Sequence, residues 1–338
     1  MLPSRRKNLF RLVVSCITAL AVLSILEVGA RVAGYQPWSI RRADIVVEPG
    51  QTFYQSHPSL GYRHLPGHFK VTLSGSYVFT ATHHASTLRI TQPLATLNQQ
   101  SAAQDIWLFG DSITYAWSVN DEESYPWLLH EKLPEYRVVN FGVNGYGTVH
   151  ALIQLREALS QQPRPQLAIV TYASWHDPRN TFIRLRRKML LPASHLGPLH
   201  QPYARLIADG KIEIVNDSLV YREFPLMRYS AFMHAVEEAY NSYEERHARS
   251  HEITKLLFKE IIDLCKARAI PVIIVSVTSD PLTTDLLNYC ASQGAKTIDI
   301  SVDLTIKENN NLPFDSHPSA AAHRQYAEKL ASFLRQQL

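Results

Sequence analysis

Cysteine is scarce in this chain of 338 residues, where only Cys16, Cys265 and Cys290 occur. Three cysteines cannot form the disulfide framework of a small secreted domain, and their spacing matches no zinc site. Cys16 lies in an apolar run. We expect the other two to be small buried side chains.

An excess of charge is also absent from most of the chain. The formal net charge is +4, and the charged residues up to residue 31 account for all of it. A nucleic-acid-binding protein normally concentrates basic charge on its folded part, so we exclude nucleic acid as a partner. With 46% hydrophobic and 19% charged residues, disordered and low-complexity chains are excluded as well.

The N-terminus combines basic residues with an uncharged apolar run. The basic residues at 5–7 precede residues 12–26, a run of about 15 residues, or about 19 when it is extended past Glu27. We expect residues 1–31 to form an uncleaved signal anchor, with cleavage at the small residues 28–30 as the alternative. The rest of the chain then lies outside the cytoplasm, anchored to the inner membrane of a bacterial envelope and facing the periplasm or the exterior.

The next part of the chain is rich in turns. Residues 32–50 are interpreted as a stalk, and turn-forming Pro-Gly and Gly-Ser pairs interrupt residues 51–98. Residues 69–72 and 77–82 predict short strands. We therefore expect residues 32–100 to form a stalk and a small β-rich appendage.

Strand and helix patterns alternate from residue 105 onward. Short apolar runs predict five strands, at 106–109, 137–141, 167–172, 271–277 and 297–300. Helical periodicity predicts helices at 122–133, 148–160, 253–264 and 320–334. Apolar strands separated by helices predict a three-layer α/β fold over residues 101–338, with a parallel five-stranded sheet and helices on both faces.

An insertion from about residue 181 to 228 interrupts this alternation. Within it, Asn216-Asp217 separates residues 211–215 from 219–222 and predicts a hairpin. Residues 229–268 fit one long helix, or two helices with a break in the charged middle. Several basic residues are interpreted as a solvated helix face or as a rim that attracts anionic groups, namely Arg179, Arg184, Arg186, Arg187 and Lys188.

The first predicted strand ends in Gly110-Asp111-Ser112. Glycine permits a tight turn, and Ser112 then lies where a helix begins and backbone N–H groups are unpaired. A serine in that position can be an exposed nucleophile whose own N–H helps to bind an oxyanion. The ordinary alternative is that Asp111 or Ser112 only caps the helix.

Three further segments follow strands or precede the last helix. Residues 140–147 contain three glycines, which let a backbone approach a ligand closely. Residues 172–180 contain His176, and Asp315 lies two residues before His317, where it can hold the imidazole tautomer. Each segment alone also fits a turn or a capped helix. All four segments lie at the carboxyl end of the sheet, and together they supply a nucleophile, N–H donors and a base with its orienting carboxylate.

The order of these segments resembles the SGNH/GDSL hydrolase superfamily, whose fold is flavodoxin-like. The resemblance implies that Ser112 is the nucleophile, that His317 is the base and that Asp315 orients it. It also implies that Gly145 donates its N–H to the oxyanion. Residues 27–35 and 60–67 are similar to a membrane-anchored bacterial branch of that superfamily.

Two positions depart from the superfamily pattern. His176 stands where an oxyanion-binding asparagine is usual, and a neutral imidazole still offers one N–H; Asn180 is a second candidate for that donor. The aspartate lies two residues before the histidine instead of three. We place Asp111, Asn144 and Asn180 at supporting positions.

The sequence therefore predicts a serine esterase that hydrolyses an acyl ester, such as an O-acetyl group, of an envelope glycan or lipid. An O-acyltransferase with the same residues and a non-catalytic glycan-binding module are the alternatives. No metal or organic cofactor is expected. The expected partners are the acyl-ester substrate and the membrane.

Overall fold

The computed structural model describes residues 3–40, 44–97, 105–197 and 199–337. The helices are α1 (Pro3–Val32), α2 (Leu94–Leu97), α3 (Ser112–Tyr115), α4 (Tyr125–Lys132), α5 (Thr148–Gln161), α6 (His176–Thr181), α7 (Arg184–Leu190), α8 (Ala231–His247), α9 (Ser250–Ala267), α10 (Pro281–Ser292) and α11 (Ala320–Leu334). The strands are β1 (Ile45–Glu48), β2 (Tyr54–His57), β3 (Gly61–His64), β4 (Gly67–Leu73), β5 (Tyr77–His83), β6 (Asp105–Phe109), β7 (Arg137–Asn140), β8 (Leu167–Tyr172), β9 (His200–Leu206), β10 (Ile212–Ser218), β11 (Val272–Ser276), β12 (Lys296–Asp299), β13 (Asn310–Asn311) and β14 (Asp315–Pro318).

Five of these strands form a parallel sheet in the order β12-β11-β8-β6-β7. The predicted fold class is thereby confirmed. All five predicted strands are present, and each begins and ends within one residue of its predicted bounds. β6 is followed in the chain by its neighbour on one side, β7, and then by its neighbour on the other side, β8. Such a switch point opens a crevice at the carboxyl ends of the strands.

Helices cover both faces of the sheet because the side chains of β6 alternate between two apolar cores. Ile106 and Leu108 belong to a core shared with α4 and α11. Trp107 and Phe109 point to the opposite face and belong to a core shared with α5, α9 and α10. The buried strands are apolar on both sides, as a covered parallel sheet requires.

The predicted β-rich appendage corresponds to residues 44–97, hereafter the appendage. It holds a three-stranded antiparallel sheet, in the order β1-β4-β5, and the hairpin β2–β3. β4 and β5 match the predicted strands, whereas β1 lies in the stretch interpreted as a stalk. The predicted boundary between residues 100 and 101 lies outside the described residues.

Arg89 joins the appendage to the segment that follows Ser112. Its side chain is fully buried and forms an ion pair with Asp121, with 2.8 Å between Nε and Oδ1. The guanidinium also donates to four backbone carbonyl oxygens, those of Thr80, Tyr115, Ala116 and Val119. One buried cation therefore satisfies acceptors on both sides of the junction.

In the middle of the chain, one prediction is wrong and one open alternative is decided. The hairpin is formed by β9 and β10, so Asn216-Asp217 lies inside a strand and the turn falls at Asp209-Gly210. Asp-Gly is the stronger turn signal because both residues adopt positive φ readily, here +65° and +68°. For residues 229–268, the broken alternative is correct, since α8 ends at His247 and Arg249 adopts a φ of +54° before α9.

The chain divides into two compact units, of which the smaller consists of Met1–Arg41 and Val220–His247. Within it, the helix Arg6–Val32 is long and apolar enough to cross a membrane: its most apolar 18-residue stretch has a mean hydropathy of 2.4, and none of that stretch is buried. Such a helix is compatible with a membrane anchor or with a signal sequence.

Glu27 connects α1 to the beginning of α8 in this smaller unit. Its carboxylate accepts hydrogen bonds from Ser230 Oγ (2.7 Å) and from the backbone N–H groups of Ala231 and Phe232 (both 3.0 Å). The first N–H groups of a helix have no partner within that helix. A carboxylate from α1 thus caps α8 and complements its dipole.

We expect Arg89→Met to destabilise the protein by about 3–5 kcal/mol. The substitution leaves the buried Asp121 carboxylate, which keeps the hydrogen bond from the Thr82 N–H, without its cationic partner, and it removes the Arg89 donors of four backbone carbonyl oxygens. Urea denaturation of the full chain in detergent measures this change. Lys70→Ala is the matched control: it breaks the exposed Lys70–Glu48 pair of the appendage and should leave the midpoint almost unchanged. Equal midpoints for the two variants would contradict the bridging role of Arg89.

Candidate active site

Ser112 lies at the first turn of α3, directly after β6 has ended. Asp111 caps the helix through a 3.0 Å hydrogen bond from the backbone N–H of Ile113 to its Oδ1. Gly110 is required by packing, since a Cβ there would lie 2.0 Å from Thr171 Oγ1. Among the described residues, no acceptor binds the backbone N–H of Ser112. The turn thus presents a hydroxyl beside an unpaired N–H donor.

His317 reaches Ser112 although 205 positions separate them in the chain. Its Nε2 lies 3.0 Å from Ser112 Oγ, and its Nδ1 lies 2.6 Å from Asp315 Oδ1. Ser112 is 7% exposed, whereas the side chain of His317 is 31% exposed. The three predicted side chains therefore form a continuous hydrogen-bonded chain, open to solvent on the histidine side.

The short spacing between Asp315 and His317 is bridged by a single oxygen. Oδ1 of Asp315 accepts the backbone N–H of His317 (2.7 Å) as well as its ring Nδ1. The backbone hydrogen bond folds the aspartate side chain back over residue 317 in an Asx-type turn. Two residues are sufficient because the side chain, rather than the backbone, spans the gap. Ser319 caps the N-terminus of α11, so Pro318 lies just before that helix.

Trp117 holds the other oxygen of Asp315, a contact that the sequence analysis missed. Its indole Nε1 donates to Oδ2 at 3.1 Å. Burial raises the pKa of Asp315, but the hydrogen bonds and charge of His317 together with the Trp117 indole lower it further, so that the net pKa is below its usual range. Trp117 itself packs edge-on against Phe79 in the apolar core of the appendage.

The loop after β7 lies against the Ser112 turn. The N–H of Phe141 donates to Leu108 O, and the N–H of Val143 donates to Gly110 O. Gly145 adopts a φ of +79°, which glycine tolerates without strain. Among the described residues, no acceptor binds its N–H. The loop thus brings a second unpaired backbone donor to the edge of the sheet where Ser112 lies.

The segment after β8 converges on the buried carboxylate of Asp111. Its Oδ2 accepts Trp175 Nε1 (2.6 Å) and Arg179 Nη1 (2.8 Å), and His176 Nε2 lies 3.2 Å away. Burial would raise the pKa of Asp111, yet His176, Arg179 and Trp175 lower it far below its usual range. Asp111 is therefore more than a helix cap: it ties the turn after β6 to the segment after β8.

The hydrogen-bond partners differ among the side chains of His176, Asn144 and Asn180. The His176 ring is buried, and neither nitrogen has a partner with hydrogen-bond geometry among the described residues. The same holds for Asn144 Oδ1. Asn180 donates Nδ2 to Thr254 (2.8 Å) and accepts the N–H of Val149 (3.0 Å), so its amide joins α5, α6 and α9 and is not a free donor. The Asn180 amide thus joins three helices, whereas the His176 ring lies beside the Asp111 carboxylate.

The basic residues of the insertion do not form a uniform solvated face. Arg186 is buried and donates to the carbonyl oxygen of Gly145, and Arg179 bonds to Asp111 and to Tyr146 O. Arg187 instead pairs with Asp217, which is about half exposed. Helical spacing alone could not have separated these arginines, because their partners come from distant parts of the chain.

Two cavities, of about 350 and 220 Å³, lie beside the appendage. The larger is lined by residues of the β2–β3 hairpin and α5, and the smaller by residues around Arg89 and β7. Neither is lined by Ser112 or His317. Ser112 and His317 therefore lie outside these two cavities, at the carboxyl edge of the sheet.

Comparisons with known proteins give fold neighbours only. No protein-family model matches the chain, and no curated protein matches it. Among solved structures, the chain is similar to TesA, with 14% identity, a TM-score of 0.42, and coverage of 70% of this chain and 100% of that one.

The chain is similar to two other solved structures at the same low level of identity. A member of the lipolytic protein G-D-S-L family from Veillonella parvula has 14% identity, a TM-score of 0.38, and coverage of 69% and 99%. AlinE4, an SGNH-hydrolase family esterase, has 16% identity, a TM-score of 0.35, and coverage of 71% and 98%. Likeness this low does not transfer an activity, so function must be inferred from the site itself.

We expect Trp117→Phe to slow the labelling of Ser112 by a serine-directed phosphonate about tenfold. Loss of the indole N–H leaves Asp315 Oδ2 without that donor, raises the pKa of Asp315 and loosens the orientation of His317. Mass spectrometry of the labelled chain measures the rate.

Phe79→Leu is the matched control for that experiment. It removes packing against Trp117 but keeps the indole N–H, so it should lower the stability while labelling stays close to the wild-type rate. If both variants slowed labelling equally, the effect of Trp117 would be one of packing and not of hydrogen bonding.

Proposed function

We propose that this protein is a serine ester hydrolase that forms an acyl-enzyme on Ser112. The observation that carries the proposal is the chain of contacts from Ser112 Oγ through His317 to Asp315, at 3.0 and 2.6 Å. A hydroxyl is a weak nucleophile until a base removes its proton, and an orienting carboxylate holds that base in the required tautomer.

We propose the proton positions of the resting site from these contacts. Nδ1 of His317 faces the Asp315 carboxylate and carries the proton, so Nε2 is free to accept from Ser112. As Oγ attacks the acyl carbonyl, its proton moves to Nε2, and Asp315 stabilises the imidazolium that results. His317 then protonates the departing alcohol.

Negative charge that develops on the carbonyl oxygen needs donors already in position. The N–H groups of Ser112 and Gly145 are supported in this role because no described residue occupies them. The buried His176 ring is the third donor that we propose, and it replaces the amide of the superfamily pattern. Preorganised donors of this kind stabilise the tetrahedral intermediate without having to reorient.

Water completes the cycle by attacking the acyl carbonyl while His317 takes its proton. Collapse of the second tetrahedral intermediate breaks the bond to Ser112 Oγ, which regains the proton from His317. The products are a carboxylic acid and the free enzyme. Each proton transfer in this scheme thus runs between His317 and Ser112, the leaving alcohol or water, while the backbone donors only stabilise the oxyanion.

The substrate that we propose is a short acyl ester, such as O-acetyl, carried by a glycan or lipid of the cell envelope. The partly exposed His317 favours an ester that approaches from the surface on a large alcohol. We also propose that the apolar helix α1, whose most apolar stretch is unburied, anchors the chain in the inner membrane with the folded part outside the cytoplasm.

We expect Ser112→Ala to abolish hydrolysis of p-nitrophenyl acetate, with a loss of at least about 10³-fold, because no nucleophile remains. Release of p-nitrophenol measures the rate, and chromatography of the acid product checks that water is the acceptor. The control is Ser292→Ala on the exposed face of α10, which should be fully active. If Ser112→Ala were as active as Ser292→Ala, Ser112 would be removed from the mechanism. If the wild type itself released no p-nitrophenol, the hydrolase proposal would give way to a binding module.

We expect His176→Ala to lower kcat about 10²–10³-fold, the usual effect of losing one oxyanion donor. His176→Asn, which restores an amide N–H, should recover part of that loss. The measurement is the steady-state rate with p-nitrophenyl acetate, alongside a thermal melt of each variant. A loss below about threefold for the alanine variant would place His176 outside the oxyanion site.

A further inference from the structure

We infer that the appendage takes part in the proposed reaction through Tyr62, a positioning residue that orients the backbone donor Gly145. The inference rests on the proposed function, because it concerns the oxyanion donor of that site. In this inference the appendage helps to position a donor of the proposed oxyanion site.

The Tyr62 hydroxyl binds the peptide that carries the proposed donor. Its Oη donates to the carbonyl oxygen of Asn144 at 2.7 Å. That oxygen and the N–H of Gly145 belong to the same peptide group, which is trans and planar. In such a group the C=O and the N–H point in opposite directions. A hydrogen bond that holds the carbonyl end on the appendage side therefore also fixes where the N–H points.

Tyr62 is itself held firmly, so its hydroxyl is a rigid anchor. The side chain is buried, and the backbone carbonyl of Tyr62 accepts a hydrogen bond from Tyr146 Oη. The ring lies 5.5 Å from that of Tyr54 and 5.6 Å from that of Tyr146. The β2–β3 hairpin sets its place by pairing Tyr62 with Ser56.

The space around Gly145 is tight, and only a residue without a side chain allows the Tyr62 hydroxyl to approach so closely. A Cβ at residue 145 would lie 2.6 Å from Tyr62 Oη and 3.3 Å from Arg186 Nη2. Arg186 holds the next peptide by donating to the carbonyl oxygen of Gly145. Consecutive peptides are thus bound at their carbonyl ends by two buried side chains, and neither can rotate without losing a buried hydrogen bond.

The hydrogen bond has a chemical consequence as well as a geometric one. Donation to the carbonyl oxygen of an amide polarises the group and strengthens its N–H as a donor. The effect matters most in the transition state, when the N–H meets a full negative charge. Loss of the Tyr62 hydroxyl should therefore lower kcat and leave substrate binding almost unchanged.

The test is Tyr62→Phe in the full chain, which keeps the ring and removes one oxygen atom. We expect kcat for p-nitrophenyl acetate to fall about tenfold while KM changes by less than about twofold. Affinity for a boronic acid, which forms a tetrahedral adduct with Ser112, should fall in parallel with kcat/KM. Hydrogen exchange at the Gly145 amide, followed by NMR, should become faster.

Tyr115→Phe is the matched control. The substitution also removes a buried tyrosine hydroxyl, one bonded to His83 Nε2 of the appendage at 2.9 Å. It leaves the backbone of residue 115, which packs against Gly142 in the loop after β7, unchanged. We expect it to lower the melting temperature and to keep kcat and the boronic acid affinity at wild-type values. A thermal melt of both variants shows that each is folded.

The outcomes separate this inference from the function on which it rests. If the wild type turns over ester through Ser112 and Tyr62→Phe retains its kcat and its boronic acid affinity, the role of Tyr62 is overturned and the hydrolase proposal stands. If KM alone rises, Tyr62 binds substrate and does not position Gly145. If the wild type shows no turnover that depends on Ser112, both proposals fall.

Discussion

The buried carboxylate of Asp111 is the constraint on which the candidate site depends. One of its oxygens caps the helix that begins at Ser112, and the other gathers Trp175 and Arg179, with His176 close by. A buried charge is tolerated only where donors surround it. Because those donors come from two different loops, the carboxylate sets the distance between the nucleophile and the segment that carries His176.

The sheet was predictable because its signal is local. Apolar runs of the right length give the five strands, and helical periodicity gives α5, α9 and α11 at nearly their observed ends. The misplaced hairpin shows the limit of this approach, since Asn-Asp and Asp-Gly both resemble turns and only the pairing of β9 with β10 decides between them. The strand β1 was missed because its partner β4 lies some twenty residues away in the chain.

The site was predictable in part for a different reason. Ser112, His317 and Asp315 stand out because chemistry restricts them to few residue types at the ends of adjacent elements. Trp117 and Tyr62 carry no such mark: a buried aromatic residue is usually part of a core. The role of each residue depends on one polar atom, the indole Nε1 of Trp117 and the hydroxyl Oη of Tyr62. The hydrogen-bond partners of these atoms are 198 and 82 positions away in the chain. Only the folded structure brings such pairs together.

The cap that Glu27 provides for α8 means that α1 does more than tether the chain. A protease that cut behind Val32 would take away the acceptor for Ser230 Oγ and for the first two N–H groups of α8. These groups would then depend on water, and the start of α8 would fray. Although α1 resembles a cleavable signal sequence, it is an integral part of its folding unit. A shortened soluble form would therefore differ from the natural chain at the beginning of α8.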